Sequence, residues 1–256
     1  MPILKHPFSL SLQPQQIATL AVKNNWWKIL SLLILIYTVV AGFLLPVPKL
    51  PILNETIRNL YFHVCMWMSM MVLFTISAVH SILYLTKQNH SSDIKASSYA
   101  TMGCVFGILG YITGTEWLSV TWLTDQGQSF SSVLKEPKLI GAAIALLIYG
   151  AYFVLRGSFI DMDKRSRVSA VYNIFAYAML FPAIWIIPRL VGSLHPGAPG
   201  EGGTAGVNPA FDKQQLDNVM RAIFYPAVIG WTLLAVWIAT LKIRVELIRD
   251  KSLINA

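Results

Sequence analysis

A chain of 256 residues in which 55% are hydrophobic and 12% charged does not read as an ordinary soluble domain, since soluble chains carry about twice that charged fraction. The net charge of +8 is spread along the chain rather than gathered into one patch, which excludes a nucleic-acid surface and leaves anchors to an anionic lipid leaflet. No nucleophile–base pair or carboxylate dyad gathers at one face, so the residues do not point to an enzyme.

Six apolar runs approach the roughly 20 residues that a bilayer crossing needs. They are Ile29–Leu45, Leu60–Leu85, Ser98–Leu118, Leu139–Leu155, Val168–Leu190 and Ala222–Ile243. Backbone groups in lipid must be satisfied within their own segment, so these runs are helices. The expected fold is all-α, a six-transmembrane-helix bundle in which residues 1–256 form a single integral membrane domain. The polar stretch before Lys28 has no signal-peptide pattern, so the first run is expected to be a retained span. With an even number of spans both termini share a side. That side collects thirteen of the twenty Lys and Arg residues and the other side seven, which makes the termini cytoplasmic by the positive-inside rule.

Trp26 and Trp27 precede the first span, where interfacial aromatics belong. Pro46, Pro48 and Pro51 stiffen the outer loop after it, and Asn54 is an expected N-cap for the second helix. That helix opens on Arg58-Asn-Leu-Tyr-Phe-His63-Val-Cys-Met-Trp67. His63 stands one turn inside, with Trp67 at i+4 and Met70 at i+7. It therefore heads a stripe of large polarizable groups on one helix face. A ring nitrogen above such a face suits a flat apolar ligand that takes an axial donor; a polar helix cap is the plainer alternative. His80 lies seventeen positions after His63. Histidine pairs that hold one haem between two membrane helices stand about 14 apart, which returns to within about 40° of one face, whereas seventeen steps miss by about 100°. A b-type cytochrome pairing of His63 with His80 is rejected, and His80 is expected to be a buried polar residue with a backbone partner. Lys87 to Asp93 reads as a short inner loop.

The third span carries Gly103, Gly107, Gly110 and Gly114, suited equally to close helix packing and to a ligand slot. Residues 114–138 read as an outer tryptophan-containing loop with Trp117, Trp122, Asp125 and Phe130. The fifth span holds Pro182 and ends near Pro188, which should kink it. A Gly/Pro-rich outer stretch follows, entered through Ser193-Leu-His195. Cys65 and Cys104 both fall inside spans, so no disulfide framework is indicated. There is no Cys-x-x-Cys-His for covalent haem attachment.

On this topology His63 and His195 lie at the same outer face, on either side in sequence of the tryptophan loop. Two neutral imidazoles across an aromatic platform are an arrangement for binding a metalloporphyrin from both sides. Arg58, Arg189 and Arg221 stand at that level, able to pair with propionates or to serve as snorkelling anchors.

These residues resemble the cytochrome c biogenesis membrane proteins of the haem exporter protein C / CcsA group. The resemblance is carried by Arg58-Asn-Leu-Tyr-Phe-His63-Val, Ser193-Leu-His195, Lys138-Leu-Ile-Gly-Ala-Ala-Ile-Ala-Leu-Leu-Ile-Tyr149, Tyr172-Asn-Ile-Phe175 and Phe224-Tyr-Pro-Ala-Val-Ile-Gly-Trp231. It runs over residues 26–244. It implies a multi-pass protein of the bacterial inner membrane with its haem site on the periplasmic side. Non-covalent, transiently held haem b would sit between His63 and His195 as iron ligands, on a platform of Trp117, Trp122 and Trp67, with Asp125 and Arg58 beside it and edges on Met66 and Met70. The implied partners are a periplasmic haem chaperone or apocytochrome c, other cytochrome c maturation membrane subunits, and the lipid bilayer. The family loop is typically a Trp-Gly-x-Trp-Trp-x-x-Asp run, whereas this chain has Thr121-Trp122-Leu-Thr-Asp125 and a Ser/Gln-rich insertion. The competing expectations are a membrane transporter, which needs polar groups near the bilayer midplane, and an assembly subunit that no longer binds haem.

Overall fold

The computed structural model describes residues 25–49, 53–124, 127, 129–186, 190 and 216–254. Among them are seven α-helices and no strand: α1 (Trp26–Leu44), α2 (Leu60–Lys87), α3 (His90–Leu118), α4 (Phe130–Leu134), α5 (Pro137–Gly157), α6 (Met162–Phe181) and α7 (Asn218–Ile254). A 3-10 turn, Asn54–Asn59, leads into α2, and π-helical turns extend α3 (Ser119–Thr124) and α6 (Pro182–Ile186). Five of these helical stretches are long and apolar enough to cross a membrane: Trp26–Leu44, Asn54–Lys87, Pro137–Gly157, Met162–Ile186 and Asn218–Asp250. The protein is a multi-pass helical membrane protein.

α1 shows the inversion that lipid imposes. It exposes Ile29, Leu33, Ile36, Val40, Phe43 and Leu44 and buries Ser31, Thr38, Ala41 and Gly42. Small and hydroxylated residues let helices approach where no water drives apolar groups inward. Ser31 Oγ accordingly donates to the Gly230 carbonyl of α7 at 3.1 Å.

α2 and α3 form the hairpin that organises the bundle. The turn is only Gln88 and Asn89, not the longer loop expected through Asp93. Gln88 adopts φ 50°, and its N–H closes α2 on the Tyr84 carbonyl at 2.7 Å. Asn89 then caps α3 by accepting from the Ser91 N–H at 3.0 Å. α3 therefore begins at His90, with Asp93 inside its first turn.

The two helices mesh through a matched pattern. Along α3, Gly114, Gly110, Gly107 and Gly103 recur at steps of four, three and four, and Ala100 and Ala96 continue the row. Along α2, His63, Trp67, Met70 and Phe74 recur at the same steps in the opposite direction. Each glycine lies under one of them. A Cβ at Gly114 would meet His63 Cε1 at 2.5 Å, one at Gly110 Trp67 Cε2 at 3.0 Å, one at Gly107 Met70 Sδ at 2.8 Å, and one at Gly103 Phe74 Cε1 at 2.5 Å. Four-three alternation is the spacing of a helix-packing seam. The glycine row is thus filled by α2, which resolves the choice between packing and an open slot in favour of packing. Below it the seam ends in polar contacts: Ser77 Oγ donates to the Ala96 carbonyl at 2.6 Å, and Asn173 Nδ2 of α6 donates to both Ser77 and Ser81 at 2.7 Å.

α3 falls outside the five most apolar stretches because it carries this packing load and a charge. Asp93 is matched by Arg156 in the last turn of α5 through two bonds, Nη1 to Oδ1 at 2.7 Å and Nη2 to Oδ2 at 2.6 Å. In α6 the α-helical register gives way at Pro182, where the missing N–H removes one intrahelical bond. The chain goes on as a π turn, the local form that the expected kink takes. α7 runs for 37 residues, twelve beyond Lys242.

Candidate functional site

His63 opens α2 one turn after the 3-10 segment, as the spacing predicts, and it is 8% exposed. Two elements hold its ring. From α3, Thr113 Oγ1 lies 3.2 Å from His63 Nδ1, and Gly114 supplies the absence of a side chain against Cε1. From α2 itself, Trp67 meets the imidazole edge-on with centroids 6.2 Å apart. From the last turn of α3, Trp117 does so at 5.9 Å. A histidine enclosed on two sides by indole edges is presented as one directed donor rather than as a mobile surface group.

Trp117 is itself pinned. Its Nε1–H donates to Thr56 Oγ1 at 3.0 Å, and Thr56 donates onward to the Leu53 carbonyl. The 3-10 turn thereby reaches across to the end of α3. Asn59 of the same turn adds a bond from Nδ2 to the Thr113 carbonyl at 3.2 Å. Thr56, Asn59 and Thr113 were not singled out from the sequence. The signal that finds Thr113 is the reversed four-three-four spacing of the two stripes, which sets it beside His63 once the helices are paired.

Trp117 and Trp122 do not sit in an irregular loop. Trp117 ends α3, and Trp122 lies in the π-helical turn that prolongs it. The hydroxyls of Thr115, Ser119 and Thr121 each donate to the carbonyl four residues back, at 2.9, 2.7 and 2.7 Å. This self-satisfaction lets a polar segment stay helical at a membrane boundary. α4 and α5 follow, so most of residues 114–138 is helical.

Arg58 faces the end of α1. Its Nη1 donates to the Gly42 and Leu45 carbonyls, the latter at 2.8 Å, and its Nε donates to Glu55 Oε2 at 2.8 Å. It satisfies carbonyls that a helix C-terminus leaves open, and a propionate would share the guanidinium with them. Met66 and Met70 are 4% and 1% exposed, in the central core. They pack inside the bundle, not at an open ligand edge. His195, Asp125 and Arg189 lie outside the described residues. His80 does not have the backbone partner expected of it: among the described residues its buried Nδ1 has no hydrogen bond, and its ring lies parallel to Tyr99 at 6.0 Å.

The arrangement brings His63, Trp67 and Trp117 together at one end of the α2–α3 hairpin. What it offers chemically is an imidazole of fixed orientation among aromatic edges.

The family model described as "Heme exporter protein C" matches residues 8–255. The "Heme exporter protein C" of Paracoccus denitrificans (strain Pd 1222) is 23% identical over 203 residues, covering 77% of this chain and 76% of that protein. With its helical membrane fold and a match over nearly its whole length, the chain belongs to the heme exporter protein C family, haem-handling membrane components of cytochrome c biogenesis and not enzymes.

Proposed function

We propose that this protein holds haem at the outer face of the bacterial inner membrane and passes it on for c-type cytochrome maturation. Haem here is cargo, bound non-covalently as haem b, with His63 and His195 as axial ligands. Trp117 and Trp67 bracket the first ligand. Trp122 and Asp125, farther along the same outer segment, are assigned to the haem platform, from which a periplasmic haem chaperone or apocytochrome c would take the haem. Other maturation subunits would contact the bundle from the membrane. The observation that carries this reading is His63 itself, seated at the end of α2 with its ring fixed by Thr113, Gly114 and two indoles.

The residues present fit the group. An iron porphyrin takes an imidazole nitrogen as axial ligand and apolar, aromatic walls around its face, and the His63 end of the hairpin has both. His63 supplies the lone pair, and the tryptophans exclude water from that side. Bound haem would bring only its iron and its flat apolar surface; holding it and releasing it is the work of the chain.

The membrane topology follows from the same residues. α3 counts as the sixth span. Its 29 residues rise about 43 Å, more than the roughly 30 Å of a hydrocarbon core. Its one acid well inside the bundle, Asp93, is neutralised by Arg156. Six spans and thirteen basic residues against seven support a topology with both termini in the cytoplasm and the His63 end of the hairpin in the periplasmic leaflet.

The test is an absorption spectrum of the detergent-purified full-length protein, expressed with ample haem, beside His63→Ala, His195→Ala and the double variant. A Soret band in the parent, shifted in each single variant and lost in the double, is the expected result. An unchanged band in both single variants overturns the ligand assignment. No band in any of the four favours the assembly-subunit reading.

A further inference from the structure

We propose that Thr113 is the positioning residue that sets the tautomer and the ring plane of His63, so that Nε2 carries the lone pair presented to iron. This inference rests on the haem reading of His63 and deepens it.

A threonine hydroxyl has one proton and two lone pairs. In α3 the Thr113 proton already has a destination: Oγ1 lies 2.8 Å from the Leu109 carbonyl and 3.2 Å from that of Gly110. The first is the shorter contact and follows the usual back-bonding of a helical threonine. With its proton so engaged, Oγ1 can meet His63 Nδ1, 3.2 Å away, only as acceptor. Nδ1 then carries the hydrogen and Nε2 does not. The hydrogen bond made by one ring nitrogen decides which nitrogen is free for a metal.

Distance alone would allow the ring to spin about its bond to the helix; its surroundings do not. Cε1 rests where a side chain on Gly114 would stand, and the two indoles flank the ring edge-on. Thr113 is in turn tied by its own carbonyl to Asn59 of the turn before α2. The segment that bears the ligand and the segment that orients it are therefore locked at one residue. None of this is required for helix packing, because the glycine seam is complete without a hydroxyl at position 113.

The experiment uses the full-length protein in detergent, titrated with haem. Thr113→Val removes the acceptor at nearly constant volume, Thr113→Ser keeps it, and Thr113→Val is also made in the His63→Ala background. Haem affinity is read from the Soret band and the iron–imidazole bond from its resonance Raman stretch, with thermal unfolding of each apoprotein alongside. Loss of a hydrogen-bonding partner behind a metal-ligating histidine typically costs about 10–100-fold in affinity. That loss is expected for Thr113→Val, with a shifted iron–imidazole stretch, while Thr113→Ser stays within about twofold of the parent on the same scale. In the His63→Ala background Thr113→Val should add nothing. If His63→Ala weakens haem but Thr113→Val behaves as the parent, the positioning role is wrong and the ligand reading survives. If His63→Ala leaves the spectrum and the affinity unchanged, both fail. If Thr113→Val weakens haem by the same factor with and without His63, or lowers the apoprotein's unfolding temperature as much as it lowers affinity, the residue serves the fold and the proposal is overturned.

Discussion

Asp93→Ala is expected to destabilise the bundle by about 3–5 kcal/mol, the range for removing one partner of a buried ion pair. The carboxylate side chain is 2% exposed and the guanidinium 15%. Two parallel N–H to O bonds join them, the strong bidentate form. Each charge also suits its own helix, Asp93 in the first turn of α3 and Arg156 in the last turn of α5. Truncating Asp93 leaves a guanidinium, only 15% exposed, among packed side chains without its carboxylate. The pair as a whole need not be stabilising, since two desolvations offset most of the attraction. The double variant Asp93→Leu Arg156→Met should therefore recover most of the loss. Denaturation of the detergent-purified single and double variants measures this. A double variant no more stable than Asp93→Ala would show that the attraction, not the stranded charge, dominates.

That pair also marks where the sequence stops being legible. Helix class follows from the apolar runs, because the bilayer forces each run to satisfy its own backbone. The start of α3 does not follow. His90-Ser-Ser-Asp93 looks like a solvated loop by composition, and only Arg156, 63 positions away, makes a buried aspartate tolerable there. Trp117 and Trp122 are helical where the sequence reads as loop, for a related reason. Thr115, Ser119 and Thr121 read as loop residues by type, yet their hydroxyls return to the backbone and keep it helical. At the candidate site the stripe from His63 to Met70 was visible as a face, but what that face meets was not. The glycine row and the aromatic row are each legible alone in the sequence. Their shared four-three-four step is a tertiary relation, and it converts an apparent ligand platform into a packing seam with a histidine at its open end. The role of Arg58 was hidden in the same way, because the carbonyls it caps belong to the previous helix.

The seam gives the second large expected effect, a division between two like substitutions on one helix face. Gly103→Ala places a methyl 2.5 Å from Phe74 Cε1 and 2.6 Å from Cδ1. Phe74 has no exposed surface, and its other face stacks on Tyr149 at 3.6 Å and 10°. The ring has nowhere to retreat, so overpacking of about 1–3 kcal/mol is expected. Alanine's better helix propensity returns at most about 1 kcal/mol of it. Gly114→Ala places its methyl as close to His63, but at the end of the seam, against an imidazole held by one hydrogen bond to Thr113 and two edge contacts. There the methyl forces the ring out of the position those contacts give it, at less cost than displacing the stacked Phe74. The stability cost should be smaller and the loss of ligand geometry larger, with haem affinity falling by about tenfold or more on the scale for disturbed metal-ligating histidines. Unfolding midpoints and Soret titrations on both variants separate the two: Gly103→Ala moves the midpoint and spares affinity per folded molecule, and Gly114→Ala does the reverse. Equal effects of both variants on both readouts would mean that the hairpin yields as one unit and that the His63 end has no geometry of its own to lose.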